Sequence, residues 1–309
     1  MTATLASLVL APCLLALTGC DLEDLGGARY HKDFHYSYPL NAGGKLAIET
    51  FNGSVELAGW DQDMVDISGT KYGPSPEAAD ALQVAIANAP DSIDIRVARP
   101  SEFRGNRGAR FTVRMPRRAL LDRITSSNGP IQVTEGSGPG RFRTSNGAVR
   151  IQSFEGSLDI HTSNGSIELI NVSGEVSART SNGRIRAENL KGPLEATSSN
   201  GGITAILATS PADRAIRLET SNGPVDLTVP ANFSSSVRAT SSNGPITLHL
   251  PTAANARVVA HTSNASISSD FEMKVVGEIG KNNMDGTIGS GGPVLDLSTS
   301  NAPIRLLKM

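Results

Sequence analysis

Few residues of this chain have the types and spacing that chemistry requires. The densest group is a run of seven arginines, Arg99, Arg104, Arg107, Arg110, Arg114, Arg117 and Arg118, with Glu102 the one acid among them. Guanidinium groups fork onto phosphate or carboxylate oxygens, so the run predicts a patch for an anionic ligand. Arg123, Arg141, Arg143 and Arg179 would extend it. Lipid headgroups and acidic glycans carry the matching charge. His31 and His35 are four apart, but two histidines fall short of a metal site. Cys20 follows Leu17-Thr18-Gly19 and a 13-residue apolar run from Leu5 to Leu17. That run is shorter than the roughly 20 residues a spanning helix needs and suits a signal-peptide core.

Small residues ahead of a cysteine resemble a bacterial lipobox, although Met1-Thr2-Ala3-Thr4 lacks the usual basic charge. The resemblance implies a signal peptide over residues 1–19 and acylation of Cys20. Acyl chains bury about 0.8 kcal/mol per CH₂, and more than one would hold the chain stably on a membrane. Membrane lipid is then one partner. A glycan, a lipid headgroup or an envelope protein are candidates for another.

The elements that would position these groups are written in a repeat. Thr/Ser-Ser-Asn-Gly or a close variant recurs with its asparagine at Asn128, Asn146, Asn164, Asn182, Asn200, Asn222, Asn243, Asn264 and Asn301, and a related copy lies at Asn52. The gaps from Asn128 onward are 18, 18, 18, 18, 22, 21, 21 and 37. The last predicts two units, with Asp285-Gly286-Thr287-Ile288 standing in for a missing copy. Fixed-period self-similarity marks a solenoid.

Three residues after each asparagine stands Ile or Val, from Val55 to Ile304. The next residue is always polar, and the one after is apolar in all but Ser269. Two before each asparagine is always Ser or Thr. Period-2 alternation of this kind is a half-buried strand. Each unit therefore predicts a strand, a Ser-Asn-Gly corner, a second strand and a return loop. The hydroxyls should point inward and bond nearby backbone. Asn and Gly at the corner suggest left-handed backbone there. Stacking at about 4.8 Å would give about ten rungs, a rod of about 50 Å, with ladders of Ile, Thr and Asn. The fold class is all-β: a parallel β-solenoid, flattened or right-handed, with rungs of 18–22 residues.

The remaining segments predict a tether over residues 20–44 and a first rung with an N-terminal cap over 45–120. The solenoid repeats then fill residues 121–309. Ser75-Pro76-Glu77 is a helix start, so the cap should hold one helix over about 76–88, placing Leu82 and Ile86 against the rod. Strands are expected near 64–71, 92–98 and 110–115. The longer rungs after Asn200 carry their extra residues near Thr209–Ala212, Ala231–Ser234 and Thr252–Asn255, which should gather on one edge.

The Thr-Ser-Asn-Gly-x-Ile units, Asn52-Gly53 with Gly59-Trp60-Asp61, and Met115-Pro116 resemble the bacterial putative-adhesin family, domain-of-unknown-function family 4097, over about residues 40–309. The resemblance implies an exported or envelope-anchored β-helix without accepted catalytic residues, and it transfers no site.

Composition agrees with a thin interior. Aromatic residues make up 4% of the chain, while glycines number 31. A net charge of −2 argues against nucleic-acid binding through bulk positive charge. Catalysis on a β-helix needs clustered carboxylates, or a Lys/Arg base beside acids, on one outward face of adjacent rungs. Here Arg150, Glu168 and Arg186 alternate in sign as an ion-pair ladder would, and Asp159 and Glu195 lie two rungs apart. Three functions follow. The leading one is a non-enzymatic binding or adhesion scaffold of the cell envelope. The others are an envelope-stress sensor serving a membrane-bound partner and a carbohydrate-active enzyme. The sequence assigns no catalytic residue, cofactor or metal.

Overall fold

The computed structural model describes residues 30–98, 105–210, 214–275 and 280–309. They form two sheets of 13 and 14 strands with a single five-residue helix, Pro76–Asp80. We call the sheet containing Ile131–Ser137 the first and that containing Leu120–Ser126 the second. Setting aside two antiparallel strands in the first and three in the second leaves eleven parallel strands in each. Each pair, one strand per sheet, is a rung.

The alternation in the sequence dictates this pairing. In Leu158–Thr162 and Ile167–Ser173, residues 158, 160, 162, 167 and 169 are buried while those between are exposed or half-exposed. A two-sided core of Ile, Val, Leu and Ala follows, and the next rung must stack in register to cover its edges. Val149, Ile167, Ile185 and Ile203 pair in order along the first sheet. Phe142, Ile160, Ala178 and Ala196 do the same in the second.

Both ends depart from chain order. The first rung, Lys45–Thr50 with Val55–Trp60, lies one place inside the end. Outside it sits a rung made later in the chain, Ser92–Val97 with Gly108–Pro116. At the other end, Val294–Thr299 with Ile304–Lys308 is inserted between Val237–Leu250 and Ala256–Ser269. The 37-residue gap is thus not two sequential rungs. Asp285–Ile288, expected to replace a missing copy, belongs to the strand Asn283–Ile288, which runs antiparallel to Ala256–Thr262 and covers that edge.

The N-terminal cap differs in two further respects. The helix stops at Asp80, and Val84–Ala89 is an antiparallel strand against Ser92–Val97. Ser75 does cap the helix, its Oγ accepting the Ala78 N–H at 3.2 Å. Leu82 is fully buried and Ile86 half-buried, so both face the rod, Leu82 from the turn that leaves the helix and Ile86 from the strand. The second correction concerns the expected tether. From Tyr30 to Pro39 it is a ten-residue strand, antiparallel to Met64–Gly73, which in turn pairs with Gly108–Pro116.

Candidate binding surfaces

Each rung has two corners, and the repeat residues occupy one of them. There the buried Thr162 hydroxyl donates to the Gly147 carbonyl of the preceding rung at 3.0 Å and accepts the Gly165 N–H at 3.1 Å. The same pair of bonds recurs at Ser126, Thr144, Thr180, Ser198, Thr220 and Ser241. A hydroxyl can donate and accept at once, which is why Ser and Thr alone fill this inward position.

On the outside of the same corner the asparagines form an amide ladder. Asn164 donates to Asn146 at 2.7 Å, Asn182 to Asn164 at 2.6 Å, and so on through Asn200, Asn222 and Asn243. The order near the end is Asn243, Asn301, Asn264, following the inserted rung. The ladder starts with Asn128 and Asn146 above Asn52, whose amide reaches the Arg107 carbonyl.

The corner glycine has a different reason from the expected one. From Gly129 to Gly244 these glycines are not left-handed; instead a Cβ on Gly165 would stand 1.8 Å from the Gly147 oxygen. Close stacking of backbone on backbone excludes a side chain. Left-handed backbone belongs to the opposite side, at Glu135, Ser153, Asn171 and Asn189 (φ 54–57°), and at Gly138, Gly156, Gly174 and Gly192. The 18-residue spacing of the first four was visible in the sequence, but their types vary. Of the longer loops, Ala231–Ser234 lies at this second corner, where Ser234 Oγ donates to the Ser210 carbonyl at 2.6 Å, while Pro211 and Ala212 lie outside the described residues.

The arginine run does not form a single patch. Arg99 and Arg104 lie outside the described residues. Arg107 is buried. Arg110 and Arg114 project outward from the strand Gly108–Pro116, over the rings of Tyr72 and Trp60 at 5.4 and 6.0 Å. Arg117 bonds Asp61 at 2.8 Å and also Glu135, and its pKa is raised by those hydrogen bonds. Arg118 is exposed at the adjoining turn. Only Arg110 and Arg114, four apart, share the outward face of the strand. Arg107 precedes it, and Arg117 and Arg118 follow it in a turn, which disperses the run.

The outer face of the second sheet holds a closer grouping. Arg123, Arg141 and Arg143 line a groove of about 270 Å³ with Glu49 and Thr125. Arg123 reaches across Ala47 to Asp94 at 3.1 Å, Arg143 reaches Asp159 at 3.3 Å, and the nearest acids to Arg141 are 3.9 Å away. Asp94 is held below the usual carboxylate range, first by its hydrogen bond to Arg96, against some burial. Further along, Arg179 pairs with Glu195 at 2.7 Å. On the first sheet Arg150 pairs with Glu168 at 2.6 Å, but Arg186 turns to Glu188 of its own strand, so the alternating column is an ion pair and not a ladder.

One cluster has the residue types of a nucleophilic triad. On the outer face of the cap, His35 Nδ1 is 3.1 Å from Ser68 Oγ and its Nε2 is 3.1 Å from Asp66. The strand carrying Ser68 and Asp66 is paired on both sides. Its backbone N–H groups are spent in the two ladders, and a triad needs spare donors for an oxyanion. We read the cluster as cross-strand bonding. Among the described residues no group of three or more His, Cys, Asp and Glu could hold a metal ion. None of the described helices is long and apolar enough to cross a membrane.

A match to a known family falls on this repeat. Residues 123–236 match the family model Toastrack DUF4097. This stretch is similar to a Toastrack DUF4097 array. It holds the regular rungs and omits both ends, where chain order and stacking order part. Among solved structures, a putative adhesin from Bacteroides fragilis NCTC 9343 is 16% identical, with 89% of this chain and 97% of that one covered and a TM-score of 0.47. A putative cell adhesion protein from Clostridium sporogenes ATCC 15579 is 10% identical over 90% and 100% of the chains, with a TM-score of 0.23. No curated protein matches the chain.

Sequence reasoning missed the strand Tyr30–Pro39. Tyr30, Lys32, Phe34, Tyr36 and Tyr38 fall on one side of it by parity, a period-2 signal present in the sequence.

Proposed function

We propose that the protein is a non-enzymatic scaffold of the bacterial cell envelope, anchored through acylated Cys20, that binds a partner on its flat outer faces. The observation that carries this reading is the division of labour within each rung. Inward aliphatics, corner hydroxyls and corner glycines are used up in holding the stack, while outward residues change from rung to rung. A rigid face with free choice of side chains is suited to recognition.

The anionic-ligand patch, expected at Arg99–Arg118, is better drawn at Arg123, Arg141 and Arg143. Three guanidinium groups on two successive rungs match the spaced carboxylates of an acidic glycan. The test is binding of the full chain to a panel of neutral and acidic glycans, with soluble products monitored in the same wells. Retention of acidic glycans that is lost on changing Arg141 and Arg143 to Glu supports the reading. Product release would favour a carbohydrate-active enzyme, and equal retention by the variant would remove the groove from the account.

A further inference from the structure

Rings are unevenly spread in this molecule. The strand Tyr30–Pro39 holds Phe34 and three of the four tyrosines of the whole chain. It is the outermost strand of the first sheet, paired only with Met64–Gly73. Beyond the last rung the first sheet continues for two strands, whereas the second continues for one, Val84–Ala89. The ring-bearing side of Tyr30–Pro39 therefore reaches past the opposite sheet.

Only part of that side is consumed in packing. Phe34 lies over Gly69 and meets Phe111 edge-on at 5.6 Å. Tyr36 follows at 5.9 Å from Phe34, and Tyr38 stacks on Tyr36 at 6.4 Å. Tyr36 is 40% and Tyr30 44% exposed, among the most exposed large apolar residues described. Lys32 shares the side and reaches Asp80 of the short helix at 2.5 Å. Rings with a polar tip, an ammonium group and half-buried Val84 and Ile86 make an end that is apolar in body and polar at its tips. Such side chains suit the boundary between hydrocarbon and water.

Chain length says which surface this end meets. Cys20 precedes Tyr30 by ten residues, a reach of about 35 Å when fully extended. That is shorter than the rod, which eleven rungs at about 4.8 Å make about 50 Å long. An anchor at Cys20 must hold the aromatic end, not the far end, beside the bilayer.

We propose that the N-terminal end face, led by the exposed Tyr30 and Tyr36, rests in the headgroup layer of a lipid bilayer and directs the rod away from it. The inference rests on the anchored reading above. The test uses the full chain, processed in a bacterial host and reconstituted into phosphatidylcholine–phosphatidylethanolamine vesicles whose acyl chains carry bromine, a quencher of tryptophan. Two reporters are built on Trp60→Phe: Tyr36→Trp at the aromatic end and Phe271→Trp at the other. Mass spectrometry of the N-terminal peptide reports acylation separately. Quenching at position 36 about threefold or more above that at 271 supports the end-face contact. Acylated protein with equal quenching at both positions overturns it and leaves the anchor intact. Protein without acyl groups contradicts the anchor. In that case quenching at 36 on adding vesicles still supports the face, and its absence overturns it.

Discussion

The middle of the rod and its two ends solve the same problem by different means. From Gly140 to Ser198 each rung is 18 residues long and meets an equivalent rung on both sides, so one tetrapeptide and one aliphatic pattern serve throughout. The ends have a neighbour on one side only. There the chain places a rung out of order and lays antiparallel strands across the outermost rung: Val84–Ala89 and Met64–Gly73 at the start, Asn283–Ile288 at the finish. Reversing direction ends the repeat, because an antiparallel strand presents a different hydrogen-bond pattern to the next chain. The middle is thus specified by identity between copies, and the ends by its interruption.

The comparison is most sharply broken at a corner glycine. Gly165→Ala puts a Cβ within van der Waals overlap of the Gly147 backbone, and should destabilise by about 4 kcal/mol or more, or prevent folding. Gly43→Ala in the N-terminal turn meets no atom within 4 Å and pays only for its φ of +84°, about 1 kcal/mol. Thermal and urea midpoints of the two variants measure the contrast. Comparable losses would show that stacking distance does not explain the corner glycines.

A smaller effect is expected from the corner hydroxyl. Thr162→Val keeps the shape but strands the buried Gly165 N–H, at a cost of about 1–3 kcal/mol, readable as a lower urea midpoint with an unchanged slope. Removing the exposed ion pair with Arg150→Ala should cost about 0–1 kcal/mol, and less at high salt.

Acid should separate the regions without mutation. In the cap, Glu77 is held below the usual range by its own backbone N–H and Ser75, Asp80 by its hydrogen bond and charge pairing with Lys32, and Asp94 by Arg96. Carboxylates depressed on folding stabilise fully above their unfolded pKa, and that contribution is lost as pH falls through the folded value. Hydrogen exchange compared at neutral pH and below the carboxylate range should show residues 76–97 losing protection before residues 140–198. The opposite order would contradict the placement of these pairs.

Legibility in the sequence followed the same divide. The parallel strands, the inward hydroxyls and the asparagine ladder could be read because ten copies repeat them. Stacking order could not, since a strand of alternating aliphatics fits either neighbour, and nothing local distinguishes the rung at Asn264 from that at Asn301. Leu82, Val84 and Ile86 fit both a helical spacing of four and a strand spacing of two, so a sound helix start at Ser75 concealed the strand after Asp80. The arginine run gave charge without direction, and only the fold shows that Arg110 and Arg114 share the outer face of a strand while Arg107 is buried just ahead of it. The groove of Arg123, Arg141 and Arg143 depends on rungs coming together, which linear spacing suggests but does not locate.

The order of the final rungs is the claim on which the rod stands, and cysteine cross-linking tests it directly. Neighbouring rungs stack at about 4.8 Å, within disulfide range, whereas alternate rungs are about twice as far apart. Asn243→Cys with Asn301→Cys should form a disulfide under mild oxidation, and Asn243→Cys with Asn264→Cys should not. A disulfide in the second pair and none in the first would mean that the rungs stack in chain order, contradicting the inserted final rung.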